Sequence, residues 1–481
     1  MGLSARARAA CFGGAVLALA ACYDSASKPA VRRSPHARPR LPASAAEDVP
    51  IELRGELPNA LAGFSVELAQ DATGDGVADL LVGAPGIRAE SGRVYLVAGP
   101  FDADRELAAA ELMLDGDPET GRAGETLAAG DADGDRITDL LIGATRARAG
   151  AGMAYLVRGP RLGVLPLSAA DARFAGLRPE DNLGQALAVL ADDANTSVLI
   201  GVPHAEPEYA GATFAWPGTV SGDADPGSAA TSIHSTRAGA HAGTSLSSGC
   251  DSDGDGTGDL LVGAWGDDMG LTGGAAYLVR GPLAGAAPAL EAAAAIYVSA
   301  TPGAAAGSKV LLADLDASGR CDVLIGAPGE GNGGVVYGFL DRSEGELTLD
   351  QADFRAVAAH PGDSVGTAFT ASDQDGDGYL DLWIGAPGHD EAGDGSGAVF
   401  IVYGPPQGAI VLDETQPRLL GRAEGDHFGA ALASGGDLDG DGSHDVAIGA
   451  WGRGMDAENN RGAVFVFRNA DVEAELGDGG P

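Results

Sequence analysis

A chain of 481 residues with 76 Gly, 26 Pro and a formal charge of −39 is too rich in helix breakers for long helices and too acidic for a nucleic-acid binder. A hydrophobic share of 45% supports a large buried core and excludes a disordered tract. Length alone suggests about three domains, yet a ring of repeats can absorb it as one.

Arg6 and Arg8 precede a short run of small and apolar residues from Ala9 to Ala21. This is the layout of a secretory signal and is too short to span a bilayer. Its end, Leu19, Ala20, Ala21 and Cys22, resembles the bacterial lipobox. In that family the signal is cut before the cysteine, and the cysteine carries the lipid. Residues 1–21 are therefore expected to be a lipoprotein signal peptide. Cys22 is expected to be lipidated, and 22–50, rich in Ser, Ala, Pro and Arg, to be a flexible tether. The expected location is the bacterial cell envelope, with the lipid as the membrane contact.

From Ile51 to Arg468 one pattern recurs about every 60 residues. Each copy opens on an extended segment such as Leu112 to Leu114, then a turn ending at Gly63, Gly124, Gly184, Gly243, Gly307, Gly366 or Gly429. A short strand follows, then an Asp-rich loop, then a second strand such as Asp79 to Ala84, Asp139 to Ala144 or Asp381 to Ala386. A variable loop leads to a third strand, such as Val94 to Val97 or Val399 to Val402. Apolar and β-branched runs of this length, punctuated by Gly, Pro and Asp, are strands. Seven units of four strands predict an all-β, seven-bladed β-propeller over 51–470, followed by an acidic tail over 471–481. Ala-rich stretches at Ala108 to Leu112 and Glu291 to Ile296 have room for a helical turn between strands three and four.

The pattern resembles the FG-GAP repeats of the integrin-α propeller. Its Gly-Ala-Pro half is intact at residues 83–85, 326–328 and 385–387, and its Phe-Gly half at Phe428 and Gly429. Thr145, Trp265 and Trp451 replace the Pro, and Val202 replaces the Ala between Gly201 and Pro203. The resemblance implies closure of the ring by an N-terminal strand, Ile51 to Leu57, completing the last blade. It also implies ligand contacts from the rim bearing the loops between strands two and three.

Six copies carry a nine-residue loop with oxygen-bearing residues at positions 1, 3, 5 and 9. Four are all aspartate: Asp131, Asp133, Asp135, Asp139; Asp251, Asp253, Asp255, Asp259; Asp373, Asp375, Asp377, Asp381; and Asp437, Asp439, Asp441, Asp445. Two carry one hydroxyl: Asp71, Thr73, Asp75, Asp79; and Asp314, Asp316, Ser318, Asp322. The third copy, Asp192 to Thr196, has lost the spacing and is expected to be metal-free. Alternate residues of a tight loop converge, and a set of hard oxygens suits Ca²⁺, up to six ions in all. Position 12 is a strand residue (Val82, Ile142, Val262, Ile325, Ile384, Ile448) and not the carboxylate of an EF-hand.

Gly362 to Gly366 matches the nucleophile-elbow spacing, but it occupies the turn position held elsewhere by Gly425 to Gly429. No catalytic residue is expected. Trp265 and Trp451 are read as packing between blades or as stacking on a ligand, and Cys250 with Cys321 as a bridge or as free thiols. The leading functional reading is a monomeric, calcium-stabilised adhesion or binding module for a protein or glycan on the rim opposite the calcium loops. Alternatives are a structural envelope protein without a discrete ligand, and a propeller lyase or hydrolase. Asp267, Asp268, His389, Asp390, Glu391, Asp394, Arg453, Asp456, Glu458 and Asn459 are the candidate rim residues.

Overall fold

The structure is a computed structural model. It describes residues 50–476 apart from 117–120, 160, 192–195, 268–272, 284–288 and 455–459. The signal, Cys22, the tether up to residue 49, the core of the third acidic loop and the end of the tail lie outside the described residues.

Strand two of each copy reads as an unbroken apolar run because both of its faces are covered. In Asp139–Ala144 every residue is buried. Leu140 and Ile142 pack toward the preceding blade and Leu141 toward the following one. Alternation of side chains therefore divides each sheet between two neighbours. Among the described residues the strands form seven sheets, each ordered strand one to strand four from the inside outward. The apolar core is correspondingly divided into seven clusters, one between each pair of adjacent blades. This is the expected seven-bladed β-propeller.

Closure follows the expected route. Ile51–Arg54 pairs antiparallel with Ala463–Phe467 as the fourth strand of blade seven, with Ile51 opposite Val466 and Leu53 opposite Val464. Ile51 and Leu53 are buried in the cluster shared by blades seven and one.

The Gly of each Gly-Ala-Pro motif has a specific steric cause. A Cβ on Gly83, Gly143, Gly201, Gly263, Gly326, Gly385 or Gly449 would collide with the carbonyl oxygen of the next blade's turn glycine. Those partners are Gly124, Gly184, Gly243, Gly307, Gly366, Gly429 and, closing the circle, Gly63. The motif thus marks where backbone meets backbone around the ring.

Two features extend the predicted blade. Five blades carry a short fifth strand, contributed by the following blade's connection between strands three and four and paired parallel to the outer edge. Single 3₁₀ turns stand between strands three and four at Leu107–Ala109 and Leu290–Ala292, where helical turns were expected. At the other end, Asn469–Leu476 is a helix whose Asp471 and Val472 are buried, so ordered structure continues into the predicted tail. Cys250 and Cys321 form a disulfide between blades four and five, with Cα atoms 5.9 Å apart. Among the described residues no helix is long and apolar enough to cross a membrane.

Candidate metal loops and the opposite rim

Each acidic loop joins strand one to strand two of its blade, and a common set of backbone hydrogen bonds shapes it. The position 6 N–H donates to the position 1 carboxylate in all six loops: from Gly76, Arg136, Gly256, Gly319, Gly378 and Gly442, at 2.8–3.0 Å. The position 7 N–H reaches back to the position 5 side chain, as from Ile137 to Asp135 at 2.8 Å and from Ser443 to Asp441 at 2.7 Å. The aspartate at position 9 is buried, and its Oδ1 accepts an N–H from the exit of strand three, such as Gly281, Asp341 or Gly404, each at 2.9 Å.

These bonds bring three carboxylates together in five of the six loops. The sets are Asp131, Asp133 and Asp139; Asp251, Asp253 and Asp255; Asp314, Asp316 and Asp322; Asp373, Asp375 and Asp381; and Asp437, Asp439 and Asp445. In each set one oxygen per residue lies within 4.8 Å of the others. Asp135, Asp259, Asp377 and Asp441 stand outside these tight sets. The first loop forms no such set. There Thr73, and not the residue at position 2, donates its N–H to Asp79 Oδ2 at 2.7 Å. In the other five loops that N–H comes from position 2, from Ala132, Ser252, Leu315, Gln374 or Leu438.

The donor set is all oxygen, which fits a hard divalent cation. Burial pushes the position 9 carboxyl up, to about 6 in Asp79 and Asp139 and to about 7 in Asp322, Asp381 and Asp445. Asp259 moves the same way for the same reason. In two loops a guanidinium already touches position 3: Arg158 Nε lies 2.9 Å from Asp133 and Arg280 Nε lies 2.8 Å from Asp253. Spacing within the loop could not reveal these arginines, because they arrive from the end of strand three.

Positions 4 and 6 are left-handed in all six loops, and only Ala317 at position 4 (φ 55°) and Arg136 at position 6 (φ 73°) are not glycine. A side chain costs about 1–2 kcal/mol in that region. Arg136→Gly should therefore stabilise the protein by about 1 kcal/mol and tighten cation binding at its loop. A calorimetric titration comparing the two proteins checks this, and stronger binding with Arg136 would contradict it.

Strand two runs from the acidic loop at one end to the variable loop at the other, so the two loop sets occupy opposite rims. On the variable rim the structure separates bound from available side chains. Asp267 is buried, pairs with Arg237 at 3.2 Å and accepts from the Tyr277 hydroxyl, and so is not an exposed ligand carboxylate. His389 is buried as well. Arg453 pairs with Asp426 and Glu52, each at 3.3 Å. Asp390, Glu391 and Asp394 are exposed, whereas Asp268, Asp456, Glu458 and Asn459 lie outside the described residues. Trp265 is 40% exposed and stacks on His241 with ring centres 4.7 Å apart; Trp451 stacks on His427 at 4.3 Å.

Ser364 has φ 61°, as a nucleophile elbow would. The same left-handed residue recurs at Leu61, Arg122, Asn182, His241, Ala305 and His427, two places before each turn glycine. The conformation is therefore a property of the repeat. Two charged side chains that the sequence reading did not single out stand on innermost strands, Glu67 in blade one and Lys309 in blade five. Burial pushes Glu67 up to about 7 and Lys309 down, each partly offset by the other's charge.

Residues 62–97, 123–157 and 428–467 match the FG-GAP repeat family. Integrin alpha-5 of Xenopus laevis is 33% identical over 170 residues, 34% of this chain and 15% of the relative. Integrin alpha-PS2 of Drosophila melanogaster is 30% identical over 182 residues (35% and 12%), and human Integrin alpha-D is 34% identical over 180 (34% and 14%). The matched region thus spans 12–15% of the length of these relatives. The chain is an integrin-α-like β-propeller, three of whose repeats match the FG-GAP family.

Proposed function

We propose that this protein is a calcium-stabilised binding or adhesion module of the bacterial cell envelope, held there by lipid on Cys22. The observation that carries the reading is the division of labour between the rims. One rim gathers oxygen ligands in five repeated loops, and the other presents irregular loops on a rigid ring. Scaffold-mounted variable loops are a common way to build a binding surface. Similarity to integrin alpha chains over the repeat region supports the same assignment. Calcium at these loops would cross-link strands one and two of its blade and neutralise carboxylates that otherwise repel.

The ligand, a protein or glycan, is assigned to the loops between strands two and three, with Asp390, Glu391 and Asp394 as exposed acids. Replacing 387–396 and 451–460 by the short loop of blade one should abolish binding in a glycan and matrix-protein array. Replacing an acidic loop on the other rim should lower stability while leaving specificity intact. Binding that survives the first exchange would remove the ligand assignment and leave a structural envelope role.

A further inference from the structure

We propose that His389 is a pH-sensitive latch that fastens the blade-six loop 387–397 to the ring when its imidazole is protonated. The latch lies in a loop assigned above to the ligand and includes Glu391, but it rests on contacts within the protein and is independent of the metal loops. His389 is 3% exposed and sits between two carboxylates. Nδ1 lies 3.0 Å from Oδ1 of Asp363, which is itself buried and belongs to the turn entering blade six. Nε2 lies 3.4 Å from Oε2 of Glu391, further along the same loop. Glu391 is in turn gripped by Arg418 of strand four, at 2.8 Å from Nε and 2.7 Å from Nη2. Phe400 from strand three meets the imidazole edge-on, with ring centres 5.6 Å apart. His360, whose ring centre is 5.4 Å away, is directed to Glu414 at 3.0 Å.

An imidazolium donates from both nitrogens, so it satisfies Asp363 and Glu391 together. The neutral ring keeps one N–H. If that proton stays on Nδ1 for the buried Asp363, the bare Nε2 faces the Glu391 carboxylate and their bond is lost. The link that breaks is therefore the one to Glu391, which keeps its pair with Arg418. The far end of the loop stays bonded through the carbonyls of Asp394, Gly395 and Ser396 to the N–H groups of Gly425, His427 and Phe428.

The repeat supplies its own control. Arg453 occupies the place of His389 in blade seven, two residues beyond the Gly-Ala-Pro position, and pairs with Asp426, the counterpart of Asp363. Arginine does not titrate in the accessible range, so blade seven has the same fastening in permanent form. The Asp363 contact is the leading cause that raises the His389 pKa, with Glu391 adding to it against burial. A raised histidine pKa contributes stability that is complete below the ordinary value, about 6.5, and is lost as pH rises through the raised one.

Hydrogen exchange of the full chain, corrected for intrinsic rates, tests the latch between about pH 5.5 and about pH 9.5. The amides of Gly395, Ser396 and Gly397 should lose roughly tenfold protection as His389 deprotonates, while the blade-seven loop at Arg453 stays flat. A nitrogen-15 titration should place the neutral ring's proton on Nδ1. His389→Arg should abolish the pH dependence, and Glu391→Gln, whose amide can donate to bare Nε2, should weaken it. Protection independent of pH in the parent protein, or unchanged pH dependence in His389→Arg, would overturn the proposal.

Discussion

Removing residues 47–58 should open the ring. Ile51 and Leu53 are buried in the cluster between blades seven and one, and losing such side chains costs about 1.5–3 kcal/mol each. Four backbone register positions against Ala463 to Val466 go with them, as does the Gly55 N–H bond to Gly462 at 3.0 Å. Glu52 and Arg54 also leave, breaking pairs with Arg453 and Asp104. What remains is the exposed edge of Ala463–Phe467, a strand buried along its whole length and a ready template for another chain. The truncated protein should aggregate on purification and lose its cooperative melt. A synthetic peptide of the deleted segment, added during refolding, should restore monomers. A truncated protein that stays monomeric with the parental melting temperature would contradict closure by this strand.

Chelation should have the second large effect, and its size should depend on pH. At ten times its Kd each bound ion adds about 1.4 kcal/mol, so five independent loops add about 7 kcal/mol. For a propeller of this size that corresponds to roughly 5–10 °C in melting temperature. Without metal, the position 9 carboxyls have folded pKa values about 6 to 7, above the unfolded value of about 3.9. The folded state then binds more protons between those limits, so metal-free stability should fall as pH rises through that window. Calcium needs the same carboxylates ionised, so the calcium increment should grow over the same interval. Melts at about pH 5 and about pH 7.5, each with calcium and with chelator, check both signs. A chelated protein that becomes more stable toward neutral pH would contradict the buried-carboxylate account.

What could be read from the sequence was whatever the repeat imposes locally. Asp at 1, 3, 5 and 9 and the apolar run after it are adjacent in the chain, so seven copies in register exposed both strands and loops. The left-handed positions were half legible: glycine at position 6 pointed to positive φ, and Arg136 keeps that φ although its side chain disfavours it. The fifth strands were not legible. Segments such as Arg105–Glu106 and Gly222–Asp223–Ala224 pair through backbone and through exposed ion pairs to Arg54 and Arg173 on an outer edge, and need no apolar signature. The bridge between Cys250 and Cys321 stayed open because it depends on how close neighbouring blades pack. Arg158 and Arg280 escaped notice for a similar reason, since their aspartate partners lie 25 and 27 residues earlier. The first acidic loop is the instructive exception. Its spacing matches the others, yet Thr73 stands at position 3, where every gathered set has an aspartate, so the loop lacks that carboxylate.

Counting calcium ions on the intact propeller tests the central claim most directly. Native mass spectrometry of the 47–481 unit, titrated with calcium at neutral pH, should show five ions binding tightly and a sixth only weakly at the Asp71 loop. Asp→Asn at position 1 of each loop, Asp131, Asp251, Asp314, Asp373 or Asp437, should remove one tight ion at a time. A propeller that takes up no calcium, or whose count is untouched by all five substitutions, would contradict the account.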